Sequence, residues 1–119
     1  KKTFNVSAIT AAALINGTVL HYRACFPEDK RKILYIEGLK DYIKIYTEDQ
    51  PKPILSLMSM KSMEELLPPS RFMRVHRSFI VQKDKIRIID RGRIVFEKTY
   101  IPISDSYKTS FQTFLDERS

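Results

Sequence analysis

The middle of the chain is a train of short apolar runs, rich in β-branched and aromatic residues and broken every few positions by turn formers. That pattern restricts the fold to a mainly β architecture. Ile33 to Glu37, Tyr42 to Thr47, Ile54 to Leu57, Phe79 to Val81, Ile86 to Ile89, Arg93 to Phe96 and Tyr100 to Ile103 each suit one strand. The second run alternates Tyr42, Lys44 and Tyr46 against Ile43 and Ile45, the period of a strand with one buried face. Asp90-Arg91-Gly92 supplies a turn between two of the runs. Asn16-Gly17 marks an earlier hairpin, with Ile9 to Ile15 expected to pair against Thr18 to Phe26. Strands of this length and spacing build antiparallel sheets.

Two short helices interrupt the pattern. Ser59 is the expected N-cap of a helix from Met60 to Leu67, where Met60, Met63 and Leu67 share a face and Pro68-Pro69 prevents continuation. The methionines on it read as core packing. The second helix should run from about Ser106 to Leu115, with Tyr107, Phe111, Phe114 and Leu115 as its apolar stripe. Its N-terminus follows the last strand, and a helix N-terminus is a ready phosphate site.

Length allows one domain: 119 residues, 43% hydrophobic and including 13 Phe and Tyr, can bury a core without covalent staples. Cys25 is the only cysteine, so no internal disulfide and no cysteine-based metal cluster can form, which fits a reducing cytoplasm. No apolar run approaches the roughly 18 residues that a membrane span requires. The formal charge of +7 is concentrated: Arg71 to Lys98 holds nine Lys and Arg against Asp84, Asp90 and Glu97. A concentrated basic surface attracts a polyanion, although a solvated basic face has the same composition.

Catalysis finds little support. The chain has no G-x-S-x-G, H-E-x-x-H, Walker or dinucleotide-binding glycine pattern. His21 and Cys25, four residues apart on an expected strand, would share a face at about 13 Å, too far for a hydrogen bond. Glu64-Glu65 and Asp116-Glu117 look like helix-surface carboxylates. No enzyme, metal site, cofactor or small-molecule substrate is expected.

The informative segment runs from Arg71 to Lys85, where basic and apolar residues interleave before a strand begins at Phe79. Arginine can grip guanine bidentately, while His76, Ser78 and Gln82 can donate and accept at base edges or phosphates, with Lys83 and Lys85 beside them. The order of the motifs makes the hint specific. Ile33-Leu-Tyr-Ile-Glu-Gly-Leu-Lys-Asp-Tyr-Ile-Lys-Ile-Tyr46, then Glu64-Glu-Leu-Leu-Pro68, then Phe72-Met-Arg-Val-His-Arg-Ser-Phe-Ile-Val81 closely resemble the LytTR family in content and order. Ile86 and the ending Ile101-Pro-Ile-Ser-Asp-Ser-Tyr107 belong to the same resemblance.

The resemblance implies an elongated fold of small antiparallel sheets over residues 33–116, with residues 1–32 as a poorly matched hairpin extension of the same folded unit. It implies sequence-specific binding of double-stranded DNA and a role in transcription regulation as the output domain of a two-component response regulator. Such domains insert loops into successive major grooves, and loops at two ends of an elongated domain reach both only if the duplex bends. Carried over by position, Lys40, Asp41 and Tyr42 fall at the first groove, and His76, Arg77 and Ser78 lie in the loop before Phe79. Ser104, Ser106 and Lys108 belong to a third region. Many members have arginine there; this chain has Asp105 and Ser106, with Asp105 expected to cap the following helix. The expected partner is promoter DNA carrying repeats, bound by a monomer or a dimer, with a receiver domain upstream in the full protein.

Several side chains have competing roles. Arg74 is expected to pair with a carboxylate such as Glu37 or to cover the sheet with its stem. His76 is expected to cap a backbone carbonyl, to touch phosphate, or both. Tyr35 and Tyr46 read as packing residues. A basic β-domain that binds an acidic protein is the rival class, and single-stranded RNA binding would need exposed aromatics, for which only Tyr42 and Tyr46 are spaced.

Overall fold

A computed structural model describes residues 12–15, 18–22 and 29–118. In chain order its elements are β1 (Ala12–Ile15), β2 (Thr18–Tyr22), β3 (Ile33–Gly38), β4 (Ile43–Thr47), β5 (Ile54–Leu57), α1 (Met60–Leu66), β6 (Phe72–His76), β7 (Phe79–Gln82), β8 (Ile88–Asp90), β9 (Arg93–Phe96), β10 (Thr99–Pro102) and α2 (Asp105–Arg118). The first seven strands form one sheet in the order β1-β2-β5-β4-β3-β7-β6, and β10-β9-β8 form a second. Every pairing is antiparallel except β2 against β5, which is parallel. The early hairpin is present as β1 against β2; Asn16-Gly17 and the expected strand ends at 9–11 and 23–26 lie outside the described residues.

Strand alternation sorts the side chains into two cores, one on each face of the large sheet. Ile36, Ile43, Ile45 and Ile80 point to one face, where Met63 and Leu67 of the α1 segment cover them together with Phe72. Tyr35, Val75 and Val81 point to the other and meet Ile94, Phe96 and Ile101 of the small sheet and Phe111 of α2. A bulge between Ile33 and Tyr35 lets Leu34 join Tyr35 in the second core while Ile33 remains in the first. The Ser59 side chain accepts from the Ser62 N–H, as expected of an N-cap, and α1 ends just before Pro68-Pro69.

The strand β6 has no counterpart among the expected runs. Its arginine, Arg74, and its histidine, His76, disguise a strand whose Phe72, Met73 and Val75 alternate between the two cores. Between β7 and β8 a single 3-10 turn at Lys83–Lys85 consumes residues, so the next strand begins at Ile88 instead of Ile86. Ile86 closes that turn and packs into the second core. The turn after β8 places Arg91 and Gly92 at φ 55° and 76°, the left-handed pair that suits a two-residue hairpin loop. The second helix extends past its expected end to Arg118, whose guanidinium reaches Asp84 at 2.9 Å.

Candidate nucleic-acid interface

Arg77 and Ser78 form the two-residue turn between β6 and β7, and nearly every backbone group around them is held. A register shift between Arg74 and His76 distorts the strand just before the turn. Arg74 Nε donates to the His76 carbonyl at 3.3 Å, its terminal nitrogen donates to the Arg77 carbonyl, and Glu64 on α1 accepts from the same guanidinium at 2.9 Å. The Ser78 N–H donates to His76 Nδ1 at 3.1 Å, and the Ser78 carbonyl accepts from the Gly38 N–H at 2.7 Å. His76 also sets its ring edge against Phe79, with centroids 5.7 Å apart. Arg77 itself is exposed, and its side chain has no ion pair or hydrogen bond among the described residues.

The Gly38–Ser78 bond ties this turn to the loop between β3 and β4. Within that loop the Leu39 N–H donates to the Tyr42 carbonyl at 2.8 Å, leaving Lys40 and Asp41 exposed and Tyr42 half-buried. Lys40, Arg77 and Ser78 line one open hollow of about 410 Å³, with Met60 of α1 on its wall. On the other side of the turn the Ser104 N–H donates to the Val75 carbonyl at 3.0 Å, and the Tyr107 N–H to the Ser104 carbonyl at 2.9 Å. Ser106 and Lys108 are exposed on the first turn of α2. The three expected regions therefore form one rim of the large sheet and do not occupy two ends of the molecule.

Asp105 is not the cap. It is the first helical residue, where its carboxylate favours the positive helix end, and it pairs with Lys108 at 2.9 Å. Three further expectations are corrected. Glu37 holds no basic side chain in the observed contacts; it accepts from the Tyr46 hydroxyl at 3.3 Å, and Arg74 pairs with Glu64 instead. His76 caps an N–H of the turn, not a carbonyl. Gln82 is buried, and its amide donates to the Ile33 carbonyl at 2.6 Å and the Arg31 carbonyl at 3.1 Å, so it cannot reach a base.

Lys83 and Lys85 sit at the far end of β7 from the turn. Lys83 donates to the Pro69 carbonyl at 3.1 Å and lies 5.8 Å from the Phe114 ring, while Lys85 pairs with Glu48 at 2.9 Å. Lys32 and Asp49 add another pair there, at 3.4 Å. Tyr46 stacks on Tyr35 with centroids 4.4 Å apart. Burial, and then the charge of Glu37, push the Tyr46 phenol well above its ordinary range, and burial likewise raises Tyr35. Both rings are packing residues rather than platforms for a base. Among the described residues no group of three or more His, Cys, Asp and Glu is arranged to hold a metal, and no helix is long and apolar enough to cross a membrane.

A family model of the LytTr DNA-binding domain matches residues 24–116. The chain belongs to the LytTR family. The LytTR match starts within the segment ahead of β3 and runs almost to the end of α2. In structure the chain is similar to a Bacillus cereus domain described as "LytTr DNA-binding domain of putative methyl-accepting/DNA response regulator", with a TM-score of 0.65 and 23% identity over 90% of this chain and 96% of that one. At that identity the likeness speaks for the fold. A comparison with curated proteins finds no match. Membership in this family makes the chain a DNA-binding domain of transcription regulation.

Proposed function

We propose that this LytTR domain binds specific sequences in double-stranded DNA through its rim, inserting the β3–β4 loop and the β6–β7 turn into the major groove with the start of α2 against the backbone. Lys40, Asp41, Tyr42, His76, Arg77, Ser78, Ser104, Ser106 and Lys108 all lie on that rim. The observation that carries the reading is a fixed turn presenting an unpaired guanidinium, because a planar fork on a rigid support can discriminate guanine bidentately. At the opposite end Lys83, which has no ion pair among the described residues, adds to the long-range attraction, while Lys85 is offset by Glu48. The domain would work in the cytoplasm as the output of a two-component response regulator, behind an upstream receiver domain, on promoter sites arranged as repeats and as a monomer or a dimer.

Fluorescence anisotropy tests the reading. A duplex enriched by the protein from a random pool should bind at least tenfold more tightly than an unselected duplex. Both affinities should fall steeply with salt, by about 0.9 in log K per log salt for each phosphate neutralised. Failure to enrich any duplex, or equal affinity for both at every salt concentration, would remove sequence-specific binding.

A further inference from the structure

We infer that Arg74, braced by Glu64, is a positioning residue that holds the Arg77-Ser78 turn in its reading shape, so that α1 sets DNA specificity without touching the duplex. The inference rests on the proposed function, in which Arg77 is the reader. One guanidinium supplies all the bonds: to Glu64 at 2.9 Å, to the His76 carbonyl at 3.3 Å and to the Arg77 carbonyl. Arg74 lines the same hollow as Lys40 and Arg77, but only 18% of its side chain is exposed and its guanidinium is committed to these three acceptors. The helix that carries Glu64 is in turn anchored by Met63, buried in the first core.

The turn needs such a brace. The register shift before His76 interrupts the ladder, and carbonyls at a two-residue turn otherwise face water. Arg74 restrains the carbonyl side, while His76 Nδ1 and Gly38 restrain the N–H and carbonyl of Ser78. A turn already fixed in this way loses less freedom when it binds, and only a duplex that fits its single shape gains the full set of contacts. Lysine cannot replace Arg74, since an ammonium is a point donor without the planar fork that meets three acceptors at once.

Glu64→Gln and Arg74→Lys test this with opposite electrostatics. Glu64→Gln removes a negative charge near the rim, so a purely electrostatic role for the pair predicts tighter binding to every duplex with an unchanged ratio of selected to random affinity. Positioning predicts that the ratio falls about tenfold, while affinity for random duplex holds or rises. Arg74→Lys keeps the charge, and should lower the ratio by a similar factor with random affinity unaltered. In both free proteins the Ser78 amide should exchange with solvent several-fold faster, read by NMR at a temperature where thermal melts show full folding.

A wild-type ratio in Glu64→Gln together with wild-type Ser78 exchange would overturn the inference. So would a ratio lost only in Arg74→Lys, which would make Arg74 a contact residue. If the wild-type protein enriches no duplex at all, the proposed function fails first. The exchange measurement then decides the brace alone, with unchanged Ser78 exchange in both variants refuting it.

Discussion

Arg74 and Arg77 stand three residues apart and differ in everything but chemistry. The first spends its donors on Glu64 and the turn carbonyls; the second has no partner among the described residues and faces solvent. Replacing Arg77 with alanine should therefore leave the melting temperature within about 2 °C of wild type, as expected where a surface change removes no packed contact. On a selected duplex it should cost about 1–3 kcal/mol, and much less on random DNA. Lys108→Ala should weaken both duplexes about equally and flatten the salt slope by roughly one contact, since Lys108 sits on an exposed helix turn beside Asp105. Anisotropy on both duplexes, with melts alongside, separates the two roles. An Arg77→Ala protein that keeps the full ratio would take Arg77 out of the reading set. The rim residues were legible in the sequence because motif order places Lys40 and Arg77 on loops. The fate of Gln82, Lys83 and Lys85 was not, because crossing β7 from Phe79 to Gln82 carries the chain roughly 10 Å to the other end of the sheet. Sequence neighbours there become structural opposites.

At the scale of elements, the meeting of β3, α1 and the β6–β7 turn depends on one glycine. A Cβ on Gly38 would lie 2.4 Å from Met60 Cγ, well inside contact distance, and the same residue donates its N–H to Ser78. Gly38→Ala should force Met60 aside and shift the loop, costing about 1–3 kcal/mol as overpacking does. Urea denaturation checks the cost, and Met60→Ala in the same chain should recover part of it by vacating the space. A Gly38→Ala protein of wild-type stability would show that the helix and loop are not tightly apposed. Most strands were legible because their apolar runs are bounded by turn residues, as at Ile33–Gly38 and Ile54–Leu57. The exception, β6, was masked because Arg74 occupies a core-facing position made tolerable by Glu64 of α1 and by the His76 and Arg77 carbonyls, acceptors that the sequence does not announce. That partner, Glu64, is an ordinary helix-surface carboxylate in the sequence. Likewise no local signal announces the parallel pairing of β2 with β5, which joins strands far apart in the chain.

Across the whole molecule, positive charge is distributed by where it is cancelled more than by where it falls in the chain. At the end away from the rim Lys32, Lys85 and Arg118 meet Asp49, Glu48 and Asp84, so the basic segment from Arg71 to Lys98 does not present one uniform face. At the rim Lys40 and Arg77 have no such partners among the described residues. These cations attract a polyanion to the rim of a particle of 44 × 26 × 26 Å, while Arg91 and Lys98 of the small-sheet region, which likewise have no ion pair among the described residues, extend the attraction beyond it. The rim crosses the strand order β4-β3-β7-β6 and then the start of α2 beside β6, four steps of about 4.8 Å, or roughly 20 Å. Successive major grooves on one side of a straight duplex are about 34 Å apart. Side-chain length cannot close that gap, because it is needed to enter a groove about 8.5 Å deep. For the start of α2 to reach the next major groove while the two loops occupy the first, the duplex must curve toward the protein, at an elastic cost of about 1–6 kcal/mol for bends of 40–90°. Circular-permutation electrophoresis should show the complex migrating slowest when the selected site lies mid-fragment. Mobility that does not depend on site position would mean that the rim engages a single major groove, with Lys108 against its flanking backbone.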